Sequence, residues 1–361
     1  MKYVQLGKSS IKISKIGFGS RNLVQKFRND MNSLHELISS SIDLGITFFI
    51  AASHYSDGVT EKLMGDVLSE YRDEIVLATS VGVIKTADGI VLDISPESLR
   101  KQINTSLNNL QTDSLDLLQL HYANPLTDNQ TTREYLTELL SSGIIKSIGL
   151  SNFNLADLKE WFDLADSVQM PYNPIQREIE GEYLNYCNKH AITLLAYTPL
   201  LAGLFSDRVL QSGYIPEIVN YLPDKKDSFL QSVQVLSEAA AKVNKTIPEV
   251  ILAWMSNLSE IGCILVGTTN IDHLKSNVSA IDSAMSQRDM DIINKAFVTI
   301  QSLFPEGITY PLPIDKIHLD NTGQKFASAM GMWFRIPPEV KIGDTVIIND
   351  TLGEVISVLP A

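Results

Sequence analysis

The sequence contains few cysteines, and this scarcity excludes two kinds of protein. Its 361 residues include two cysteines, Cys187 and Cys263, which are too few for the disulfide framework of a small secreted domain. No Cys or His spacing resembles a zinc site, so we expect no bound metal. The default expectation is a reducing, cytoplasmic compartment.

Basic residues are also scarce. Lys and Arg total 29 against 42 Asp and Glu, which gives a formal net charge of −13 at pH 7. No basic run offsets this negative charge, so the chain would repel a phosphate backbone. We therefore expect no nucleic-acid partner.

Long apolar runs are missing as well. The longest, residues 194–205, has 12 residues and includes Pro199, whereas a membrane span needs about 20. Residues 1–7 lack the apolar region of a signal peptide. We expect neither a membrane-spanning segment nor export.

The chain does contain a repeated pattern of secondary structure. Apolar residues make up 44% of it, enough for a large core. Short β-branched segments alternate with amphipathic helical patterns, which is typical of parallel βα units. Eight candidate strands predict the α/β class and a (β/α)8 TIM barrel. They cover residues 15–19, 47–51, 75–80, 115–121, 145–150, 168–171, 193–197 and 262–266.

Local signals mark the ends of several elements. Ser95 and Pro96 have the N-cap and first-turn pattern of a helix start. Gly45 and Gly143 each follow a helical pattern and precede a strand, so both are expected to end helices. Residues 2–6 and 11–13 predict an N-terminal β-hairpin before the first barrel strand.

Two stretches do not fit a minimal barrel. Residues 198–227 far exceed the usual ~2–6 residues of a βα loop and are expected to form a lid. Residues 302–361 hold six of the fourteen prolines and two β-type runs. We therefore divide the chain into a barrel, residues 1–301, and a loop-rich C-terminal extension, residues 302–361, that ends in a β-hairpin.

The extension has two expected packing modes. It contains apolar strings around Trp333 and Phe334 and around Ile347 that would be costly to expose. Either Trp333 and Phe334 cover the mouth of their own barrel, or the hairpin pairs with a second subunit and forms a homo-oligomer.

Several short strings at the ends of predicted strands point to a known family. They cover residues 16–20, 45–49, 120–122, 148–153, 196–200 and 267–269, with Tyr55, Gln176 and Asn277. In this order the strings resemble the aldo-keto reductase family over about residues 1–300. The resemblance implies the same barrel, an NAD or NADP cofactor across its C-terminal face, and a hydride exchanged with a small-molecule carbonyl substrate.

The resemblance also implies which residues bind the cofactor. Ser151, Asn152 and Gln176 would hold the nicotinamide carboxamide, because their hydroxyl and amide groups supply the necessary donors and acceptors. Tyr197 would stack on the nicotinamide ring. The other implied residues are Thr198, Leu200 and Gly203 at the pyrophosphate, and Gly267, Thr268, His273 and Asn277 after the last strand.

The choice between NADH and NADPH stays open. In the family a basic residue after the last strand usually binds the adenosine 2′-phosphate, and His273 replaces the usual arginine here. The neighbouring Asp272 weakens the case for a 2′-phosphate further. We therefore consider both nucleotides.

Half of the family's catalytic tetrad is present. Tyr55 matches the proton-donating tyrosine and His121 the histidine that orients the carbonyl, but Ile50 replaces the aspartate and Ser80 the lysine. Losing one partner of a buried ion pair costs about 3–5 kcal/mol, whereas replacing both can be nearly neutral. Without the lysine, Tyr55 is expected to keep a phenol's pKa of about 10, so conventional carbonyl reduction should be slow.

Three residues are candidates for binding the substrate. Arg21 takes the position of a family pocket residue and could place a permanent cation over the site, which would suit an anionic substrate. His54 precedes Tyr55, and Tyr122 follows His121.

Three functions follow from these residues. The leading interpretation is an NAD(P)(H)-dependent oxidoreductase with a modified tetrad, acting on a specialised carbonyl or alcohol. The alternatives are a nicotinamide-binding protein without redox turnover and a lyase or isomerase that uses Tyr55 and His121 as acid and base.

Overall fold

Eight parallel strands close into a barrel with helices packed around it. The computed structural model describes residues 1–360 except 87, 88, 125, 213, 215, 217, 218, 220, 221, 284, 315, 320–323, 330, 331 and 353. For Pro223, Pro313, Ser328, Ala329, Met332 and Trp333 it describes the backbone alone. The barrel strands are Ile16–Gly19, Phe48–Ala52, Val76–Val81, Leu117–Leu120, Ile148–Ser151, Ala165–Pro171, Thr193–Tyr197 and Ile261–Val266.

All eight predicted strands are confirmed, and with them the (β/α)8 barrel. The eighth strand closes the barrel by pairing in parallel with the first, where Val266 lies opposite Phe18. The described α-helices are Leu23–Phe27, Met31–Asp43, Val59–Leu68, Pro96–Leu110, Asn129–Ser142, Leu155–Trp161, Glu182–Lys189, Asp207–Ser212, Lys226–Lys242, Ile247–Asn257, Ile271–Asp282 and Gln287–Leu303.

The predicted helix boundaries follow from local chemistry. The Ser95 side chain accepts a hydrogen bond from the backbone N–H of Ser98, and Pro96 occupies the first turn. Gly143 ends the helix Asn129–Ser142 with a φ of 78°, and Gly45 follows its own helix with a φ of 86°. Glycine adopts this left-handed conformation without the strain that a side chain would cause.

The predicted N-terminal hairpin is confirmed and closes the lower end of the barrel. Its strands are Tyr3–Gln5 and Lys12–Ser14. Leu6 and Ile13 are fully buried and belong to the cluster of side chains that fills the barrel interior. The hairpin therefore fills the space below the strands with apolar side chains.

Neighbouring residues of a barrel strand face opposite sides, as the period of a strand requires. Phe48 and Ile50 belong to the interior cluster. Phe49, between them, packs with Phe18 in the larger cluster that includes the surrounding helices. Ile50 therefore points into the barrel, where a charged side chain would need a partner.

The extension contains more strands than the sequence predicted. The terminal hairpin is confirmed as Thr345–Asn349 with Val355–Leu359, and Thr309–Pro313 extends it to three strands. A second three-stranded sheet is formed by Lys316–Leu319, Lys325–Ala329 and Met332–Arg335. Residues from both sheets share a small core of their own, including Phe334, Val346 and Ile348.

The extension also contacts its own barrel. Tyr310 and Leu352 pack against the main core, and the Asn349 side-chain amide donates to the Glu178 carboxylate of the barrel at 3.2 Å. The strand Met332–Arg335 lies beside Gly89–Leu92. Phe334 was expected to cover the mouth with Trp333, but it packs in the extension's own core instead. The Trp333 side chain lies outside the described part, and pairing with a second subunit stays a prediction.

Two loops of the upper rim differ from simple connections. An unpredicted hairpin, Val83–Thr86 with Gly89–Leu92, follows the third strand. The predicted lid, residues 198–227, includes the helix Asp207–Ser212, and its residues 213, 215, 217, 218, 220 and 221 lie outside the described residues.

A carboxylate near the lower end links three barrel strands. Asp116 is 5% exposed and pairs with Arg72 and Lys146, each at 2.7 Å. It also accepts a hydrogen bond from the backbone N–H of Leu77 at 2.8 Å. Because two cations and an amide surround it, its burial is fully compensated.

We expect Asp116→Ala to lower the free energy of unfolding by about 3 kcal/mol, because it leaves buried donors without their carboxylate. Urea unfolding followed by circular dichroism measures this loss. Glu97→Ala is the matched control, since it removes the exposed Glu97–Lys101 pair and should leave the midpoint unchanged. Equal midpoints for both variants and the wild type would contradict the prediction.

Candidate active site

Four aromatic side chains cluster where the second and fourth barrel strands end. The ring centroid of His54 lies 4.8 Å from that of Tyr55 and 4.7 Å from that of His121. Tyr55 and His121 are 6.1 Å apart, and Tyr122 stacks on His121 at 5.1 Å. The structure thus brings together both predicted catalytic residues and two predicted substrate-binding residues.

Both histidines of this cluster are neutral at pH 7. Burial and the charge of Arg21 lower the pKa of His54 to about 4. Burial, His54 and Arg21 lower the pKa of His121 to about 3. Each ring has a buried Nδ1 without a hydrogen-bond partner among the described residues. Neutral imidazoles can orient a carbonyl by hydrogen bonding, but they are poor proton donors.

Both tyrosines of the cluster have a raised pKa. Burial raises the pKa of Tyr55, and the charge of Arg21 partly opposes this. Burial together with Tyr55 and Asp350 raises the pKa of Tyr122 to about 12, again against Arg21. Both phenols are therefore protonated at neutral pH and can donate a proton or a hydrogen bond.

The positions that the resemblance assigns to the missing ion pair are neutral. Ile50 is 6% exposed and Ser80 2% exposed. The Ser80 hydroxyl donates to the side-chain oxygen of Gln119 at 3.0 Å. Lys85 does not replace the absent lysine, because it is exposed and pairs with Asp57 at 3.2 Å.

The fifth and seventh strands present the next polar group. The Asn152 amide donates to the backbone oxygen of His121 and to the Ser151 hydroxyl, each at 3.1 Å. The Tyr197 hydroxyl donates to the amide oxygen of Asn152 at 2.6 Å. Asn152 therefore connects the aromatic cluster to Tyr197.

Gln176 is buried and already makes two side-chain hydrogen bonds. Its amide oxygen accepts from Asn173 at 2.7 Å, and its amide nitrogen donates to the Asp350 carboxylate at 2.8 Å. Asn173 also donates to the backbone oxygen of Thr198 at 3.2 Å. A glutamine amide has two N–H donors and two oxygen lone pairs, so one of each remains for a carboxamide.

The segment after the seventh strand has an unusual backbone. Thr198, Leu201, Ala202 and Gly203 all have positive φ, from 44° to 90°. The Thr198 hydroxyl oxygen is buried without a hydrogen-bond partner among the described residues. Three non-glycine residues at positive φ store strain of the kind found at ligand sites, and Leu200 lies at the centre of this turn.

The segment after the eighth strand faces the same rim. The Asn270 side chain caps the helix Ile271–Asp282 and accepts from the backbone of His273, which is exposed. Gly267 and Thr268 precede this cap, and Asn277 is buried one turn beyond His273. These predicted residues therefore lie on one helix and the turn before it.

Sequence reasoning missed two charged residues of the upper rim. Lys26 donates to the backbone oxygen of Thr269 at 2.6 Å, joining the first and last βα segments. Asp350, from the terminal hairpin, reaches Gln176. No local pattern indicates either contact, because both join residues more than 170 positions apart.

The Asp350 carboxyl lies among protein groups at the upper rim, although the residue as a whole is exposed. Burial of the carboxyl, and to a lesser extent the charge of Glu178, raise its pKa to about 6, and the hydrogen bond from Gln176 opposes this rise. The carboxyl is therefore ionised above neutral pH.

The residues present fit a nicotinamide dinucleotide. Gln176 keeps one amide donor and one acceptor site, and the buried Thr198 hydroxyl lacks a partner among the described residues, as expected for groups that a ligand would satisfy. Within the described ranges, no group of three or more His, Cys, Asp or Glu side chains is placed to hold a metal ion. None of the described helices is long and apolar enough to cross a membrane.

We expect Arg21→Gln to raise the pKa of both His54 and His121, because it removes a cation that disfavours their protonated forms. NMR titration of the imidazole resonances measures both values, which in the wild type should lie near 4 and 3. Lys26→Gln is the control, and it should leave the pKa values of both histidines unchanged. Unchanged histidine titrations in Arg21→Gln would show that the guanidinium does not act on the cluster.

Comparison with known proteins identifies the family. The model of the aldo/keto reductase family matches residues 15–297. The chain is 26% identical over 307 residues to the aldo-keto reductase YhdN of Bacillus subtilis (strain 168), covering 81% of this chain and 93% of that protein. It is 26% identical over 320 residues to the NADH-specific methylglyoxal reductase of Escherichia coli (strain K12), covering 82% and 98%.

Solved structures agree with this match. The holo form of aldo-keto reductase AKR11C1 from Bacillus halodurans superposes with a TM-score of 0.70 at 27% identity, over 82% of this chain and 96% of that one. The glycerol dehydrogenase AKR11B4 from Gluconobacter oxydans has a TM-score of 0.74 at 20% identity, over 82% and 95%, and supports the fold alone. The chain therefore belongs to the aldo/keto reductase family of NAD(P)(H)-dependent oxidoreductases.

Proposed function

We propose that this chain interconverts a small anionic carbonyl compound and its alcohol, using NAD(P)(H) and a tetrad without its charged pair. The observation that supports this most is the continuous contact from Tyr55 through His54 and His121 to Asn152 and Tyr197. This series of contacts links Tyr55, the proton donor, to the residues that are expected to bind the nicotinamide.

The cofactor, when bound, supplies a hydride to the carbonyl carbon or accepts one from the alcohol. Ser151, Asn152 and Gln176 would bind its carboxamide, and Tyr197 would pack against its ring. The Thr198 hydroxyl, which has no hydrogen-bond partner among the described residues, would be available for a phosphate oxygen. His273 is exposed and stands where the family usually has an arginine for the 2′-phosphate, so NADH and NADPH are both cofactors to compare.

Tyr55 donates the proton that the carbonyl oxygen needs when it becomes an alcohol. The neutral His54 and His121 orient that oxygen by hydrogen bonding. Arg21 favours the phenolate that Tyr55 forms after proton transfer, since it lowers the pKa of that phenol. This effect only partly offsets burial, so turnover of simple aldehydes is expected to be slow.

Arg21 is the residue that supports an anionic substrate. It is exposed in the mouth, and no described residue forms an ion pair with it. Its charge acts on His54, Tyr55 and His121. A free guanidinium beside the proton donor suits a carboxylate or phosphate group on the substrate.

We expect Tyr55→Phe to abolish carbonyl reduction and to leave binding of NADH and NADPH unchanged. The phenyl ring keeps the packing but has no proton to donate. Calorimetric titration with each nucleotide measures binding, and nicotinamide absorbance at saturating nucleotide measures turnover across a panel of aldehydes and ketones.

The wild-type measurements separate this proposal from its alternatives. Nucleotide binding without turnover of any carbonyl would favour the binding protein, whose tetrad has lost function. Failure to bind either nucleotide would favour a non-redox enzyme. Full turnover by Tyr55→Phe would mean that another group donates the proton.

We expect Arg21→Gln to lower kcat/KM for succinic semialdehyde about tenfold, mainly through KM, because it removes the partner of the substrate carboxylate. Butanal has the same chain length without the carboxylate and is the matched control. Its kcat/KM should fall by less, because butanal loses only the effect of Arg21 on the Tyr55 phenol. Equal losses for both aldehydes would contradict an anion-binding role for Arg21.

A further inference from the structure

The turn of the terminal hairpin places a carboxylate beside the carboxamide-binding residues. Asp350 lies in this turn, and its carboxylate accepts a hydrogen bond from the Gln176 amide at 2.8 Å. The two residues are 174 positions apart in the chain. The extension thus contributes directly to the upper rim of the barrel.

The position of this carboxylate is fixed by the turn itself. The Asn349 side-chain oxygen accepts from the backbone N–H groups of Thr351 and Leu352 at 3.0 and 2.9 Å. Its amide donates to the backbone oxygen of Glu306 at 2.8 Å and to the Glu178 carboxylate at 3.2 Å. Such a turn holds Asp350 without help from a ligand.

The carboxylate lacks a cation of its own. No described residue forms an ion pair with Asp350, which faces Gln176 and Glu178. Burial, and after it the charge of Asp350, raises the pKa values of the Tyr122, Tyr197 and Tyr310 phenols, and the charge of Arg21 opposes this rise at Tyr122 and Tyr197. A carboxylate without an ion-paired cation gains stabilisation from a positive charge that enters the mouth.

Gln176 can bind this carboxylate and a carboxamide together. One of its N–H groups donates to Asp350 and one lone pair accepts from Asn173. The second N–H and the second lone pair are free for a carboxamide. Gln176 would therefore hydrogen-bond both to Asp350 and to the carboxamide that the nicotinamide ring carries. The oxidised ring is positively charged, and the reduced ring is neutral.

We propose that Asp350 is a specificity-determining residue that makes the chain bind the oxidised, cationic form of the cofactor in preference to the reduced form. This inference rests on the proposed function, because it requires Gln176 to hold the carboxamide. The ligand class is the cationic nicotinamide ring, and the recognising group is a carboxylate supplied by the C-terminal extension.

The test compares the dissociation constants of NAD⁺ and NADH, and of NADP⁺ and NADPH, for full-length variants at pH 8. Calorimetry measures all four without turnover. Asp350→Asn keeps an oxygen acceptor for Gln176 and removes the charge. Glu354→Gln is the matched control, because it removes one charge from an exposed position in the same hairpin.

We expect Asp350→Asn to weaken binding of the oxidised form relative to the reduced form about tenfold, which equals ~1.4 kcal/mol. Glu354→Gln should leave the ratio unchanged. An unchanged ratio in Asp350→Asn overturns the inference. Equally tighter binding of both forms is such a case, and it would mean that Asp350 obstructs the cofactor. An equal change in Glu354→Gln overturns it too, because the effect would then reflect net charge alone.

Two further measurements keep the result interpretable. In the wild type, the preference for the oxidised form should fall as the pH drops from 8 to 5, because Asp350 becomes protonated while His54 and His121 stay neutral. A pH-independent ratio contradicts the inference even if Asp350→Asn fails to fold. If wild-type protein binds neither form, the proposed function fails and this inference with it, whereas binding of both forms without preference refutes the inference alone.

Discussion

Because all eight strands of the closed barrel run in one direction, their carboxyl ends share one rim, and the side chains that follow each strand meet there. Tyr55, His121, Asn152 and Tyr197 come from four different strands and contact one another for this reason. The N-terminal hairpin fills the opposite end with apolar side chains. The site thus has a packed floor and a polar upper surface.

The two ends of the barrel differ in their buried charges. At the lower end, Asp116 is buried with two cations and a backbone amide, so its charge is compensated. At the upper end, Ile50 and Ser80 bring no charge, and burial keeps the nearby histidines neutral. Among the described residues, Arg21 is the cation whose charge acts on His54, Tyr55 and His121, and its side chain is exposed.

The extension changes the chemical character of this site. Within the barrel, the Gln176 side chain accepts a hydrogen bond from Asn173. The terminal hairpin adds a carboxylate on the other side of Gln176 and anchors it through Asn349. A negative charge from one end of the chain and Arg21 from the other therefore act on the same phenols, Tyr122 and Tyr197, which gives the mouth a negative and a positive side.

The sequence by itself determined the eight strands, the hairpins at both termini and the identity of most rim residues, because alternating apolar patterns and strand-end motifs are local. It also indicated that Ile50 and Ser80 leave Tyr55 without a lysine. Only the tertiary structure decided that Lys26 meets Thr269 and that Asp350 meets Gln176. These contacts depend on how distant segments pack on the closed barrel, and no short-range sequence pattern predicts that packing.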